Sequence, residues 1–578
     1  MGEDFTAKPV KEVTGFRMLL GHLGMFLILI GLISALPMLV VPFFPDEVEA
    51  LPVFGGVAGW NIIVGATLFF VFSFKKKKTR FFRRQESVLL MLIWLCAIFS
   101  GAAPFFIFGL MGKIDYTFTG AVFESTSGYT TTGLTVFRDF IDVPGAFCSH
   151  VLTFHRALTN FIGGVGLVLL VASVLGASGG GVSLYVSEGH ADRLLPNITK
   201  SAKLIFGIYF FYTALGFVAL MLAGMPVFDA LTHSMSALSG GGFSCRANNI
   251  ASYRYLEGQV LPYGFMPVNS LMIEIIIMVL VIFSAISFML HTYLLRFRFK
   301  TFFGDDEIRY AIIANALCIL ICFFGALGAI SASTGSAFFE PSGEVLRASF
   351  FYIIGATTNS GFSSTTTDSS HFVVHFFDGG AGNAAFMGHT FVILMILVML
   401  VGGGAGSSAG GIKQYRIVVS IRSIYYSLRY RFASAHHLYP KLTNRYGETK
   451  ELDDDTVAEA HHYIFLFVGM FLLLTTVIII ADPTNYNVEG AMFDMASAVS
   501  NTGLSFVVGP DYATTRTVAS FVTLWAMSVG MLLGRLEILP AAYAVSNIPL
   551  EIRHRRQQKE IRLREKEKEA VYGLEEGD

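Results

Sequence analysis

Long runs of apolar residues limit what this chain can fold into before any motif is considered. Met18–Val41 reads MLLGHLGMFLILIGLISALPMLVV and Leu271–Leu290 reads LMIEIIIMVLVIFSAISFML. Each has the roughly 20 residues that a helix needs to cross a bilayer core of about 30 Å. Lipid offers the backbone no hydrogen-bond partners, so each run must satisfy its own amides and carbonyls as a helix. Apolar runs fall near residues 17–44, 52–74, 87–110, 152–176, 203–224, 268–295, 309–332, 387–402, 460–481 and 517–540. Only 14% of the 578 residues are charged, against about 25% in ordinary soluble domains. The expected class is an all-α integral membrane protein.

Basic clusters give the orientation. KKKKTRFFRR (Lys75–Arg84) follows the second run, and Arg296, Arg298 and Lys300 follow the sixth. Lys413, Arg416, Arg422, Arg429 and Arg431 follow the eighth, and EIRHRRQQKEIRLREKEK, from Glu551, follows the last. All come after even-numbered runs and so share one side, which the positive-inside rule makes cytoplasmic, with both termini there. Cys96, Cys148, Cys245, Cys318 and Cys322 are too scattered for a disulfide framework. The pairs His436/His437 and His461/His462 have no metal-site companions and read as solvated or interfacial.

The links on the opposite side carry an internal repeat. GYTTTGLT (Gly128–Thr135), ALSGGGFS (Ala237–Ser244), ATTNSGFS (Ala356–Ser363) and AVSNTGLS (Ala498–Ser505) align on Gly133, Gly242, Gly361 and Gly503. Each has a hydroxyl three residues before the glycine (Thr130, Ser239, Thr358, Ser500), Leu or Phe after it, then Thr or Ser. Upstream lie short semi-apolar segments such as Tyr116–Ser125 and Val488–Ser497, too short to span. Irregular backbone at membrane depth is tolerated only inside protein or beside a watery cavity. The pattern therefore predicts span, half-helix, polar hairpin and span, four times around an axis. Rings of backbone carbonyls can replace the water of a dehydrated cation, and glycine adopts the φ/ψ this needs without a Cβ clash. Half-helix C-termini aimed below would favour a cation there. The candidate filter is Thr131, Thr132, Gly133, Gly240, Gly241, Gly242, Asn359, Ser360, Gly361, Asn501, Thr502 and Gly503. Glu124 and Asp494, nine residues before their glycines, are expected to satisfy half-helix polar groups rather than to recruit cations.

Val401–Gly411, VGGGAGSSAGG, places Gly402, Gly403, Gly404, Gly406, Gly410 and Gly411 where the eighth span should continue. Each interior glycine costs a helix about 1 kcal/mol relative to alanine, so the stretch is expected to unwind; close helix packing through small residues is the alternative. GSSAG (Gly406–Gly410) matches a nucleophile elbow by letter, but a span offers no strand-to-helix turn. GSSAGGIK (Gly406–Lys413) lacks the Ser/Thr that completes a P-loop. Neither supports an enzyme. Arg535 is a charge in or near the last span, an expensive placement. It either faces the pathway, snorkels to the interface or pairs with Glu537.

These residues resemble the Trk/Ktr/HKT superfamily of potassium transporters, and within it the TrkH-like proteins. RALTNFIGGVGLVLL (Arg156–Leu170), GGGAGSSAGGIKQYR (Gly402–Arg416) and MLLGRLEILP (Met531–Pro540) carry the resemblance beyond the hairpins. It implies four M1–P–M2 repeats in pseudo-fourfold arrangement plus two extra N-terminal transmembrane helices. The implied divisions are 1–84 for the two-helix region, 85–180, 181–300, 301–450 and 451–550 for the repeats, and 551–578 for a charged tail. It further implies K⁺ uptake across the bacterial inner membrane, with K⁺ as the transported ion on filter carbonyls and no organic cofactor. Glycine at all four filter positions implies K⁺ over Na⁺, with Rb⁺ as surrogate. Gly402–Gly411 would be an intramembrane gate beneath the filter, with Arg535 opposing the ion there. The implied partners are membrane lipid, a second copy in a homodimer and a cytosolic TrkA-type nucleotide-binding subunit, with no nucleic acid. Arg416–Arg431 and the tail from Glu551 are candidate docking surfaces. An obligatorily coupled K⁺/H⁺ or K⁺/Na⁺ symporter is the alternative. Two departures stand out: VIFSAISFMLH (Val281–His291) lacks the glycines usual in the second M2, and the stretch from Lys413 to Glu459 is long.

Overall fold

Two prolines close the first membrane helix. α1 (Phe16–Ala35) runs into a tighter helical turn, Leu36–Phe43, that holds Pro37 and Pro42. A computed structural model of the chain describes residues 16–72, 83–166, 198–334, 342–364, 385–432, 441–505 and 519–537. The KKKKTRFF stretch from Lys75, the His436/His437 pair, the tail from Glu551, and the ends of two resemblance segments (167–170 and 538–540) lie outside them.

α2 (Ala50–Phe72) lies against α1 through small residues. A Cβ on Gly24 would sit 2.6 Å from the Gly65 carbonyl oxygen, and one on Gly65 would sit 2.7 Å from that of Gly24. Only glycine at both positions lets the backbones approach this closely. α3 (Arg83–Leu110) follows, then the short α4 (Phe118–Tyr129), α5 (Ser149–Val165), α6 (Ile198–Leu222), the short α7 (Val227–Ser239), α8 (Ser270–Ala285) and α9 (Phe288–Leu295). Next are α10 (Asp306–Thr334), α11 (Ser342–Thr357), α12 (Ala385–Val401), α13 (Gln414–Phe432), α14 (Asp454–Ala481), α15 (Val488–Ser500) and α16 (Phe521–Arg535). Among the described residues six helices are long and apolar enough to cross a membrane, seven if α8 and α9 form one bent span.

That bend corrects the expectation of one span over 268–295: α9 leaves α8 at 116°. The cause is tertiary. The Ser284 carbonyl accepts from Ser408 N (3.2 Å), the Ala285 carbonyl accepts from Gly404 N (2.8 Å), and Phe288 N donates to the Gly406 carbonyl (3.1 Å). Bonds to the glycine loop replace the helix's own ladder, which a chain at membrane depth tolerates only inside protein.

The four short helices have 12, 13, 16 and 13 residues. At 1.5 Å per residue they reach roughly 18–24 Å, less than a bilayer core. Each packs against the helix that follows the previous short one, in a closed circuit: α7 against α5, α11 against α8, α15 against α12, and α4 against α16.

Among the described residues the only strands lie between α13 and α14. β1 (Leu442–Arg445) pairs antiparallel with β2 (Glu448–Glu451), Leu442 opposite Glu451 and Arg445 opposite Glu448. Tyr446 and Gly447, both at positive φ (54° and 81°), make the turn, the backbone a tight hairpin requires. The hairpin sits on the start of α10: Asn444 N donates to the Asp306 carboxylate at 2.6 Å, and Tyr446 N to that of Asp305 at 2.9 Å.

Candidate functional site

The four short helices end alike. The residue two before each aligned glycine has left-handed backbone: Thr131 (φ 55°), Gly240 (72°), Asn359 (53°) and Asn501 (56°). The next residue's N–H returns to the carbonyl five residues back: Thr132 to Ser127 (2.9 Å), Gly241 to Ser236 (3.0 Å), Ser360 to Gly355 (2.9 Å) and Thr502 to Ser497 (2.8 Å). This is the left-handed helix cap that turns a chain sharply while satisfying the last carbonyls. In three hairpins the hydroxyl three before the glycine bonds the one directly before it: Thr130–Thr132 (2.8 Å), Thr358–Ser360 (3.1 Å) and Ser500–Thr502 (2.7 Å). The second hairpin has Gly241 there, and the Asn160 amide fills the space a Cβ would need.

After the caps the hairpins converge. A Cβ on Gly133 would collide with the Gly241 carbonyl; one on Gly242 would lie 2.8 Å from Gly361 Cα; one on Gly361, 2.7 Å from Gly503 Cα; one on Gly503, 3.0 Å from Gly133 Cα. The contacts run first to second, second to third, third to fourth and fourth to first, closing a ring of backbone. Gly361 N also donates to the Thr502 carbonyl. Side chains brace the ring from behind. Asn359 Nδ2 donates to Thr502 Oγ1 (2.8 Å) and the Met399 carbonyl (3.1 Å), and Asn501 Nδ2 to Thr132 Oγ1 (3.0 Å) and the Met531 carbonyl (2.8 Å).

One brace recurs in all four hairpins. The residue nine before each glycine bonds the hydroxyl two after it: Glu124 with Thr135 (2.9 Å), His233 with Ser244 (2.9 Å), Tyr352 with Ser363 (3.1 Å) and Asp494 with Ser505 (3.2 Å). Glu124 and Asp494 thus act as internal acceptors, Asp494 also taking a bond from the Tyr486 hydroxyl (3.0 Å). His233 and Tyr352 gave no signal in the sequence because they share no chemistry with the two acids. Arg156 was likewise assigned no role. It pairs with Glu124 at 2.7 Å, the two side chains 1% and 0% exposed, and it donates to Thr135 Oγ1 and the Ser244 carbonyl, both at 2.9 Å. It joins the first hairpin to the second, its guanidinium 4.1 Å from the Phe243 ring centre.

Gly402–Gly411 is an irregular loop against the ends of α11 and α15. Gly402 (φ 72°), Gly406 (73°) and Gly411 (79°) adopt left-handed backbone, and α12 ends at Val401. Asn359 Oδ1 accepts from Gly403 N (3.2 Å), joining the loop to the third hairpin. A Cβ on Gly410 would collide with the Ser500 carbonyl at the end of α15. The Glu307 carboxylate accepts from Ala405 N (2.6 Å) and Tyr415 N (3.1 Å). Arg535 donates to the carbonyls of Ser408 in the loop and Gly163 in α5. It therefore joins the glycine loop to α5. Glu537 pairs with Arg416 at 2.6 Å, and Arg422 with Asp306 at 2.8 Å, so α13 is tied to the membrane helices rather than lying free. His461 and His462 are exposed on α14.

Bilayer-length helices around a ring of apposed backbone define a polytopic membrane transport protein. Residues 57–551 match the TrkH family of cation transport proteins. The chain belongs to that family, whose members are transporters and not enzymes. It is 28% identical over 548 residues to an uncharacterized cation transporter of Methanocaldococcus jannaschii, covering 92% of this chain and 94% of that one. The Trk system potassium uptake protein TrkH of Halomonas elongata is 32% identical over 312 residues, 53% of this chain and 59% of the relative. The crystal structure of the potassium transporter TrkH from Vibrio parahaemolyticus matches with a TM-score of 0.69 at 23% identity, covering 92% of this chain and 98% of that chain. The last likeness is one of fold.

Proposed function

We propose that the protein takes up K⁺ through a selective, channel-like pore in which the four hairpins, each with its flanking helices, form four repeats of one design. The ring closed by Gly133, Gly242, Gly361 and Gly503 carries this reading. Hairpins so close that only glycine fits can present their peptide oxygens to one dehydrated alkali ion. The names of the Trk-system relatives, potassium uptake proteins, support K⁺ as the cargo. The membrane potential supplies about 2.3 kcal/mol per charge per 100 mV, enough to accumulate a cation without chemistry in this chain.

Gly402–Gly411 and Arg535 form the gate. The loop is held by hydrogen bonds to Asn359, Ser284, Ala285, Phe288, Glu307 and Arg535, and Arg535 puts positive charge where the cation must pass. The basic clusters put both termini in the cytoplasm of a bacterial cell, the protein being in its inner membrane. On that side α13 offers Ile421, Ile424, Tyr425 and Leu428, each more than half exposed, to a TrkA-type nucleotide-binding partner. A second copy completes a homodimer.

The test is Rb⁺ uptake in cells lacking other K⁺ systems, comparing wild type with Gly133→Ser and Arg535→Ala. Gly133→Ser lowers discrimination against Na⁺ and Arg535→Ala raises basal flux. Unchanged selectivity in the glycine variant overturns the filter assignment.

A further inference from the structure

A cavity of about 630 Å³ opens between the bent α8–α9 pair, α10 and α11. Along α10 it is lined by Glu307, Ala311, Asn315, Ile319 and Phe323, positions four apart on one face that extend about 24 Å along the helix. Its few polar groups are satisfied within the protein. Glu307 accepts from Ala405 and Tyr415, and Asn315 from the Thr357 hydroxyl at 2.8 Å. Its deep wall includes Gly404 of the glycine loop and Thr358 of the third hairpin. The remainder is an apolar slot, and α10 is a bilayer-length helix with only 22% of its membrane window buried.

The mouth is basic. Residues 295–300, LRFRFK, join the α9 wall, which includes Leu290, to the Phe302 and Phe303 wall. Arg296, Arg298 and Lys300 are exposed and make no ion pair among the described residues. Phe297 (79% exposed) and Phe299 (46%) alternate with them, the mixture of aromatics and cations found where a chain meets lipid headgroups. The nearby acids are turned inward: Asp305 and Asp306 hold the β-hairpin, and Glu307 holds the loop. A basic segment joining two walls of an apolar slot is complementary to one occupant.

We propose that a phospholipid with an anionic headgroup binds here, its headgroup on Arg296, Arg298 and Lys300 and an acyl chain in the slot against Gly404. Binding does not depend on the filter reading; only an effect on ion flux would rest on it. The basic segment selects anionic lipid because each cation near a negative headgroup adds favourable electrostatic energy, while the slot takes a chain from either a neutral or an anionic lipid.

Native mass spectrometry of the full-length protein, titrated separately with phosphatidylglycerol and phosphatidylcholine, tests the site. Wild type retains phosphatidylglycerol preferentially. R296Q/R298Q/K300Q, altered only at exposed side chains, loses that preference by about tenfold or more. Ala316→Trp, which fills the slot from α10, loses the tightly held lipid of either kind. Equal phosphatidylglycerol retention by wild type and both variants overturns the proposal. So does efficient disulfide cross-linking of two copies through Ala316→Cys in membranes, which would make a second copy the occupant.

Discussion

The residues nine before the hairpin glycines illustrate how a site can keep its geometry while changing its chemistry. Two acids, a histidine and a tyrosine all reach the hydroxyl two residues past the glycine, within 2.9–3.2 Å. They do not carry equal energy. Glu124 also faces buried Arg156, and removing one partner of a buried pair leaves an uncompensated charge at about 3–5 kcal/mol. Tyr352→Phe removes the neutral hydrogen bond to Ser363, about 1 kcal/mol. Thermal unfolding in detergent should therefore rank Glu124→Ala well below Tyr352→Phe; equal losses would contradict the buried pair as described. The hairpin glycines also differ. Gly133, Gly242 and Gly503 have positive φ as well as a close neighbour, whereas Gly361 needs glycine only for the approach of Thr502 and Gly503. Gly361→Ala is expected to cost less Rb⁺/Na⁺ discrimination than Gly503→Ala, read by competitive flux. The aligned glycines and their hydroxyls were legible because one pattern recurs four times. His233, Tyr352 and Arg156 were not, because no residue type repeats at their positions.

Among the elements, the glycine loop and the α8–α9 bend form one construction. The sequence marks the loop, since six glycines in ten residues cannot sustain a helix. It does not mark the bend: VIFSAISFML has neither glycine nor proline, and on periodicity alone it reads as continuous span. Its break comes from loop amides taking the Ser284 and Ala285 carbonyls, a contact between segments more than a hundred residues apart. The β-hairpin was equally hidden, its strands short and polar and held by Asp305 and Asp306, with Tyr446 of the turn packed on Leu290, Phe302 and Ile308. Glu307 is where these pieces meet. Glu307→Ala leaves the amides of Ala405 and Tyr415 without their acceptor, at about 1–3 kcal/mol for each buried group. Basal Rb⁺ flux should rise several-fold with the Rb⁺/Na⁺ ratio unchanged, and a changed ratio would place Glu307 in selection rather than in holding the loop.

For the whole molecule, a circuit of packing runs from α5 through α7, α8, α11, α12, α15 and α16 to α4. The sequence predicts four alike segments around an axis, but not which neighbours touch, because a local pattern has no information on distance. In the pore reading such a circuit conducts without a second ion to balance the charge. Proteoliposomes holding a K⁺ diffusion potential, with no proton or sodium gradient, should take up Rb⁺ at a rate that follows voltage; no uptake until a proton or sodium gradient is added would establish obligatory coupling. The brace described first has a historical consequence. If the four segments arose by copying one ancestral unit, selection since then has preserved a separation between two backbone positions and let the atoms filling it drift. Kinship among the copies is then better measured by superposing their turns than by comparing their letters.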